Sequence, residues 1–362
     1  MHVVKIGVLE WNAAALGERQ RIMLSFADYF ARDGHDVTVF TTYVNDEDIC
    51  TVPTIPQDIP QALGLRGGLK RNRIHVIATG NKVIREEDIP TEMRSCDFLL
   101  VPYGGYGYLQ GMLPTTRVVA WVTTPEQSRP KALREIWTDS QSTWMELTTT
   151  HTWGCQAIKS RIVIPPCDFS AFRGGTYMLR REGDLIFYGE ATPEKRVDLF
   201  IQAAATQRKL VGPGGRSSTI CLTRGGIHPS LWRPIVEDCE VAAKEHGIEL
   251  LVDATRVQVA EAFKRSRVLC LPSMVESAPL SVYEAMTAGL VIVARRIGAV
   301  VEQTGGQAFY FDEDEKFLEV VDDAVWEAGA TDRKRSAEYK LAPAFDGQSA
   351  RVHTLLKIAL ES

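Results

Sequence analysis

Residues Leu269 to Gly306 read LCLPSMVESAPLSVYEAMTAGLVIVARRIGAVVEQTGG. Val268–Leu271 is a short apolar run of the kind buried in a parallel sheet. A loop carrying Glu276 follows. Pro279 then stands in the first turn of a helical stretch, Leu280–Ala288, where its missing N–H costs little. Val291–Ala294 is the next strand, so the stretch is a βαβ unit. The start of such a helix, with unpaired backbone N–H groups and the positive end of the macrodipole, is a ready anion site. Glu276 lies just before that start. Glu284 lies eight residues on, a little over two turns, and so on roughly the same side about 12 Å further along. One carboxylate can reach a sugar and the other a ribose, with a diphosphate between them, because carboxylates accept hydrogen bonds from vicinal hydroxyls. Taken alone, a loop glutamate and a helix-surface glutamate are commonplace, and the surrounding pattern gives the pair its meaning.

Outward from this unit the same rhythm continues in both directions. Asp184–Tyr188, Ser218–Thr223 and Glu249–Val252 read as strands, and Val197–Thr206, Trp232–His246 and Val257–Ser266 as helices. Earlier in the chain, Val3–Leu9, Val37–Thr42, Ile74–Ala78, Phe98–Pro102 and Val118–Thr123 are strand candidates, with a weaker one at Ile162–Ile164. Arg19–Arg32 has helical spacing, with Gly34 as its closing residue. Two α/β series joined through a polar stretch around Arg173–Gly183 predict two Rossmann-like domains with parallel sheets, which bind ligands at the carboxyl ends of their strands. The expected division is residues 1–168, residues 169–345, and a terminal amphipathic helix within 346–362 that packs back on the first domain.

Bulk composition agrees with this. The chain has 362 residues, 45% hydrophobic and 24% charged, which suits two globular domains. A net charge of −5 argues against general binding to nucleic acid or anionic membranes. The seven cysteines, at 50, 96, 155, 167, 221, 239 and 270, have no C-x-x-C spacing, so neither a zinc site nor a disulfide framework can be read from them. Reduced thiols and a cytoplasmic protein are expected. The N-terminal MHVVKIGVLEW reads as a first strand, and no run approaches the roughly 18 apolar residues of a spanning helix.

The opening stretch, with its E-x7-E spacing and EAM-x-x-G helix, resembles the donor-site signature of the retaining glycosyltransferase family four. Phe187–Ala204, FYGEATPEKRVDLFIQAA, is similar to the family's segment ending a strand and carrying PEK ahead of a helix. Ile162–Phe172, IVIPPCDFSAF, is similar to the family's domain-joining segment, with Cys167 at a position usually small. LGERQRIMLSFADYFARDGHDVTVFT is similar to its N-terminal segment. The resemblance is specific in the C-terminal half and loose from Thr51 to Ser160, where acceptors are normally recognised. It implies a GT-B fold, two Rossmann-like domains facing across a cleft, and transfer of a sugar from a nucleotide-diphosphate donor with retention. It further implies that Lys195 neutralises the diphosphate, Glu276 contacts the transferred sugar and Glu284 holds the ribose. Backbone amides around Ser277, Ala278, Pro279 and Leu280 cradle the phosphates, and Gly17 approaches them from the other domain.

Three departures from the family pattern stand out. Glu190 occupies the position of a diphosphate-binding arginine; facing a phosphate at about 4 Å it would cost a few kcal/mol. Either Arg196 substitutes for the missing arginine, or Glu190 binds a sugar amine, or the donor sits differently. Thr123 stands where a histidine often ends an N-domain strand, with Glu126 and Arg129 nearby as acceptor contacts or plain surface residues. Arg224 follows the strand end CLT, where small residues are common, and adds positive charge to the phosphate region or none. Trp11, Tyr103, Tyr106, Tyr108 and Trp121 cluster at N-domain strand ends, either stacking on an acceptor ring or packing beneath loops. The Gly104–Tyr108 loop lacks the G-x-G-x-x-G of a dinucleotide fingerprint.

Lys195 and the start of the Leu280–Ala288 helix are placed to stabilise the leaving diphosphate without a metal. Closure of the domains over the donor would exclude water. No cofactor beyond the nucleotide-sugar co-substrate is expected, and the acceptor is unidentified, with a small or specialised molecule favoured. A phosphorylase-like or epimerase-like enzyme on the same fold is one alternative. A binding protein or partner subunit, in which Glu190 has ended catalysis, is the other.

Overall fold

The apolar runs of the first half assemble as parallel strands around the first of them. The computed structural model describes residues 3–10, 18–41, 74–78, 86–102, 108–122, 135–149, 159–173, 183–211, 217–224 and 229–330. The chain divides between Asp168 and Phe169 into two compact units. In the first unit, strands β1 (Lys5–Glu10), β2 (Asp36–Thr41), β3 (Ile74–Ala78), β4 (Phe98–Val101), β5 (Arg117–Trp121), β6 (Glu135–Thr138) and β7 (Lys159–Ile162) form one sheet. Their order is β3-β2-β1-β4-β5-β6-β7, and every pairing is parallel.

Helix α1 (Glu18–Arg32) buries Ile22, Met23, Leu24, Phe26, Ala27 and Phe30, the apolar stripe expected of a helix covering a sheet. The Phe26 ring lies 5.2 Å from Trp121 and 5.9 Å from Trp137. The chain leaves α1 through Gly34 at φ 98°, while the His35 N–H donates to Phe30 O at 3.1 Å and the Gly34 N–H to Ala31 O at 3.2 Å. This paired ending requires the left-handed backbone that glycine adopts without strain. Three short helices complete the described part of the unit: α2 (Thr91–Arg94), α3 (Leu109–Met112) and α4 (Gln141–Thr149).

The structure adds α2, α3, β6 and α4 to the sequence reading and moves the last strand of the first sheet from Ile162–Ile164 to Lys159–Ile162. The reason lies in Glu135. Its fully buried carboxylate opens β6 and interrupts the apolar run. It is satisfied by Arg117 Nη2 at 2.9 Å and Arg161 Nε at 2.8 Å, from the strands on either side, and by Trp137 Nε1 at 3.1 Å on β6 itself. A buried carboxylate is tolerated only with such partners.

The second unit repeats the design. Strands β8 (Gly183–Glu190), β9 (Ser217–Thr223), β10 (Glu249–Val252), β11 (Val268–Leu271), β12 (Val291–Arg295) and β13 (Phe309–Phe311) lie in the order β10-β9-β8-β11-β12-β13, again all parallel. Helices α5 (Val197–Val211), α6 (Pro229–His246), α7 (Arg256–Arg265), α8 (Leu280–Ala288), α9 (Gly298–Thr304) and α10 (Phe317–Ala330) connect and follow them. The core holds Phe187, Phe200, Leu222, Val268, Val293 and Phe317. Each such side chain is worth about 1.5–3 kcal/mol relative to exposure.

Among the described residues, no helix is long and apolar enough to cross a membrane. Also among them, no group of three or more His, Cys, Asp or Glu is gathered for a metal ion. Cys96, Cys167, Cys221, Cys239 and Cys270 are buried and in no disulfide. Burial pushes the thiols of Cys96, Cys221 and Cys239 up to about 12 and raises that of Cys270 as well. The terminal helix expected within 346–362 lies outside the described residues.

Candidate functional site

In the second sheet the strand order reverses between β8 and β11, and the crevice at the carboxyl ends of two such strands is where open parallel sheets bind ligands. Both loops leaving these strands carry residues singled out in the sequence. β8 ends at Glu190 and runs into a 3-10 turn, Pro193–Lys195, with the proline at its start. β11 runs through Pro272–Pro279 into α8. The Met274 N–H donates to Glu194 O at 2.8 Å, tying one loop to the other.

Lys195 and Glu276 are brought together by this arrangement. Lys195 Nζ lies 2.6 Å from Glu276 Oε1, with 17% and 5% of the two side chains exposed. A charge-assisted bond so enclosed is held far more firmly than a surface pair. A Cβ built on Gly189 would lie 3.8 Å from Lys195 Cδ, so the lysine stem runs close beside the β8 backbone.

Arg196 leaves the turn in the left-handed region, at φ 50°. Its guanidinium meets Asp198 at 2.8 and 2.9 Å and also bonds Asp314, the first residue of a 3-10 turn at Asp314–Lys316. The other Asp314 oxygen bonds Arg295 at the end of β12. Arg295 in turn donates through Nε to Ser273 O at 3.3 Å, in the loop that leads to Glu276. Hydrogen bonds donated by Arg295 and then Arg196 hold the Asp314 carboxyl below its ordinary value, and those that Arg196 donates to Asp198 and Asp314 raise its own affinity for its proton.

Helix α8 is buried nearly all round, with Thr287 as its half-exposed residue. Pro279 is its N-cap, at φ −62° and ψ 135°, without a side-chain cap. The buried Gln303 of α9 donates through Nε2 to Pro279 O at 3.1 Å and fixes the peptide that opens the helix. Ser277 is half-buried, and Ala278 and Leu280 are buried at this start. Glu284, with none of its side chain exposed, takes a hydrogen bond from Arg256 Nη1 at 2.9 Å. Arg256 lies 5.0 Å over the Phe172 ring.

The remaining sequence-selected residues fall elsewhere. Half-buried Glu190 stands opposite Thr223 in the β8–β9 register, and its carbonyl accepts the Thr192 N–H at 2.9 Å. Arg224 is engaged by Asp253, through its own N–H at 2.8 Å and its Nε at 2.5 Å, and lies 4.9 Å over the Trp232 ring. Gly17, Trp11, Tyr106, Thr123, Glu126 and Arg129 lie outside the described residues. Sequence reasoning passed over Arg256, Asp253, Gln303, Arg295 and Asp314. Of these, only Arg295 left a signal, as a charge ending the apolar run VIVA.

A family model for "Glycosyl transferases group 1" matches residues 180–325, the span holding every described site residue above except Phe172. No curated protein matches the chain by sequence. Among solved structures, Anabaena HepE in complex with UDP-glucose is similar at a TM-score of 0.71 and 12% identity, covering 98% of this chain and 99% of that one. A glycosyltransferase from Rickettsia africae gives 0.68 at 12% identity, over 100% and 99% of the two chains. Sucrose-phosphate synthase from Thermosynechococcus elongatus gives 0.67 at 14%, over 98% of each. At these identities the likeness shows the fold, which is GT-B. Residues 180–325, which carry Lys195, Glu276 and Glu284, are thus similar to the glycosyl transferases group 1.

Proposed function

We propose that this glycosyltransferase moves a sugar from a nucleoside-diphosphate donor bound at the carboxyl ends of β8 and β11, with retention of configuration, to a small or specialised acceptor. The Lys195–Glu276 pair carries this reading: two side chains 81 residues apart meet at 2.6 Å beside a helix start. As the bond to the diphosphate breaks, negative charge grows on the leaving oxygens. Lys195 and the backbone N–H groups of Ser277, Ala278 and Leu280, at the entry to α8, supply positive charge and dipoles there. Glu276 takes the hydroxyls of the transferred sugar, and Glu284, steadied by Arg256, takes those of the ribose. The choice of acceptor class follows from the net charge of −5 and from α1, whose arginines are interspersed with acidic and apolar residues. HepE binds UDP-glucose on the same fold, and a uridine donor is the first to try.

Thermal melting against nucleoside diphosphates and nucleotide-sugars tests the donor site, with Lys195→Ala and Glu284→Ala beside the parent protein. Ligand at a hundred times its dissociation constant adds about 2.7 kcal/mol of stability. The parent is expected to shift with one nucleotide, and both variants to lose that shift. No shift with any nucleotide would overturn the proposal.

One observation favours a second reading, in which the protein binds donor without transferring from it. Glu190 brings a carboxylate to the strand end that leads to Lys195. Donor affinity without transfer or donor hydrolysis, across a broad acceptor panel, would select this reading.

A further inference from the structure

The two loops that carry Lys195 and Glu276 are separate excursions from the sheet, yet their charged groups meet at 2.6 Å. One backbone bond, from Met274 N–H to Glu194 O, joins the loops directly. A second connection runs behind them through a residue far along the chain. One oxygen of Asp314 bonds Arg196, the neighbour of Lys195, and its other oxygen bonds Arg295. Arg295 reaches Ser273 O at 3.3 Å, three residues before Glu276, and also Asp312 O at 3.1 Å. The backbone on the Lys195 side is held in a left-handed conformation at Arg196, which a non-glycine residue keeps only when its surroundings enforce it. Asp198 and Asp314 provide that enforcement from two sides.

We infer that Asp314 is a positioning residue for the site: by bridging Arg196 and Arg295 it sets the spacing between the loops and so holds Lys195 against Glu276. The carboxylate does not touch the pair. It acts through two guanidiniums whose planar forks fix direction as well as distance. Calling the bridged pair a donor-handling pair rests on the proposed function, whereas the bridge itself does not.

Competitive acetylation followed by peptide mass spectrometry tests the inference without any nucleotide. The rate at Lys195 is read against that at Lys264, which pairs with Glu261 on α7 away from the bridge. In Asp314→Asn, Lys195 is expected to react about tenfold faster relative to Lys264, as an ammonium does when it loses a facing carboxylate. Asp314→Glu, which keeps both acceptors, should return most of that protection. General loosening of the unit would raise both lysines together and would overturn the inference, as would an unchanged Lys195 rate in a variant that melts like the parent. If Asp314→Asn does not fold, Arg295→Lys keeps the charge but loses the fork. A folded Arg295→Lys with parental Lys195 reactivity also overturns the inference. Calorimetry with UDP, GDP and ADP on the same proteins separates the two claims. Binding by the parent that weakens about tenfold in Asp314→Asn supports both. A parent that binds none of them defeats the donor reading, while the labelling ratio still decides the bridge.

Discussion

Glu284 has no exposed side-chain surface, so its charge depends on what the protein places around it, and Arg256 is a partner in hydrogen-bonding range. Removing one member of a buried ion pair leaves an uncompensated charge and costs about 3–5 kcal/mol. Arg256→Met is therefore expected to lower the urea midpoint markedly, and Arg256→Met with Glu284→Gln to recover most of the loss. Additive losses in the double variant would show that the two residues do not depend on each other. Lys195, Glu276 and Glu284 were legible in the sequence because their neighbours fall in short, patterned segments. Arg256 lies 28 residues from Glu284, and Arg196 lies 118 from Asp314. Such pairs are made by the fold, and no spacing rule announces them.

Among the elements, α8 couples the reading of the sequence to the geometry of the site most directly. Its bounds, Leu280–Ala288, are those the sequence predicts, since Pro279 opens it and Gly289 closes it. Gly289 sits at φ 72°, with the Leu290 N–H donating to Ala285 O at 2.9 Å. Gly289→Ala forces a Cβ into the left-handed region, at a cost of about 1–2 kcal/mol. The expected result is a matching drop in unfolding free energy by chemical denaturation; an unchanged value would mean that the ending relaxes. The elements hardest to read were those that break the apolar pattern or are very short. β6 begins with a buried glutamate, α9 has seven residues, and β13 has three. Each is specified by its neighbours in the sheet more than by its own residues.

On the scale of the whole molecule, the five cysteines among the described residues are buried and in no disulfide, and burial holds the thiol protons of Cys96, Cys221, Cys239 and Cys270 tightly. Such thiols are poor nucleophiles. Native protein is expected to release at most two equivalents of colour with Ellman's reagent (seven minus the buried five, leaving Cys50 and Cys155). The rest should react only as the chain unfolds, and a faster third thiol would contradict the burial. The order of the second sheet also has a consequence in time. β8 joins β11 only after β9 and β10 have intervened in sequence, so the Lys195–Glu276 contact closes a loop of 81 residues. Closing it costs about 4 kcal/mol in chain entropy before the contact returns anything. Binding competence is thus among the last properties that a newly made chain acquires, and a half-folded copy would have no means of sequestering nucleotide.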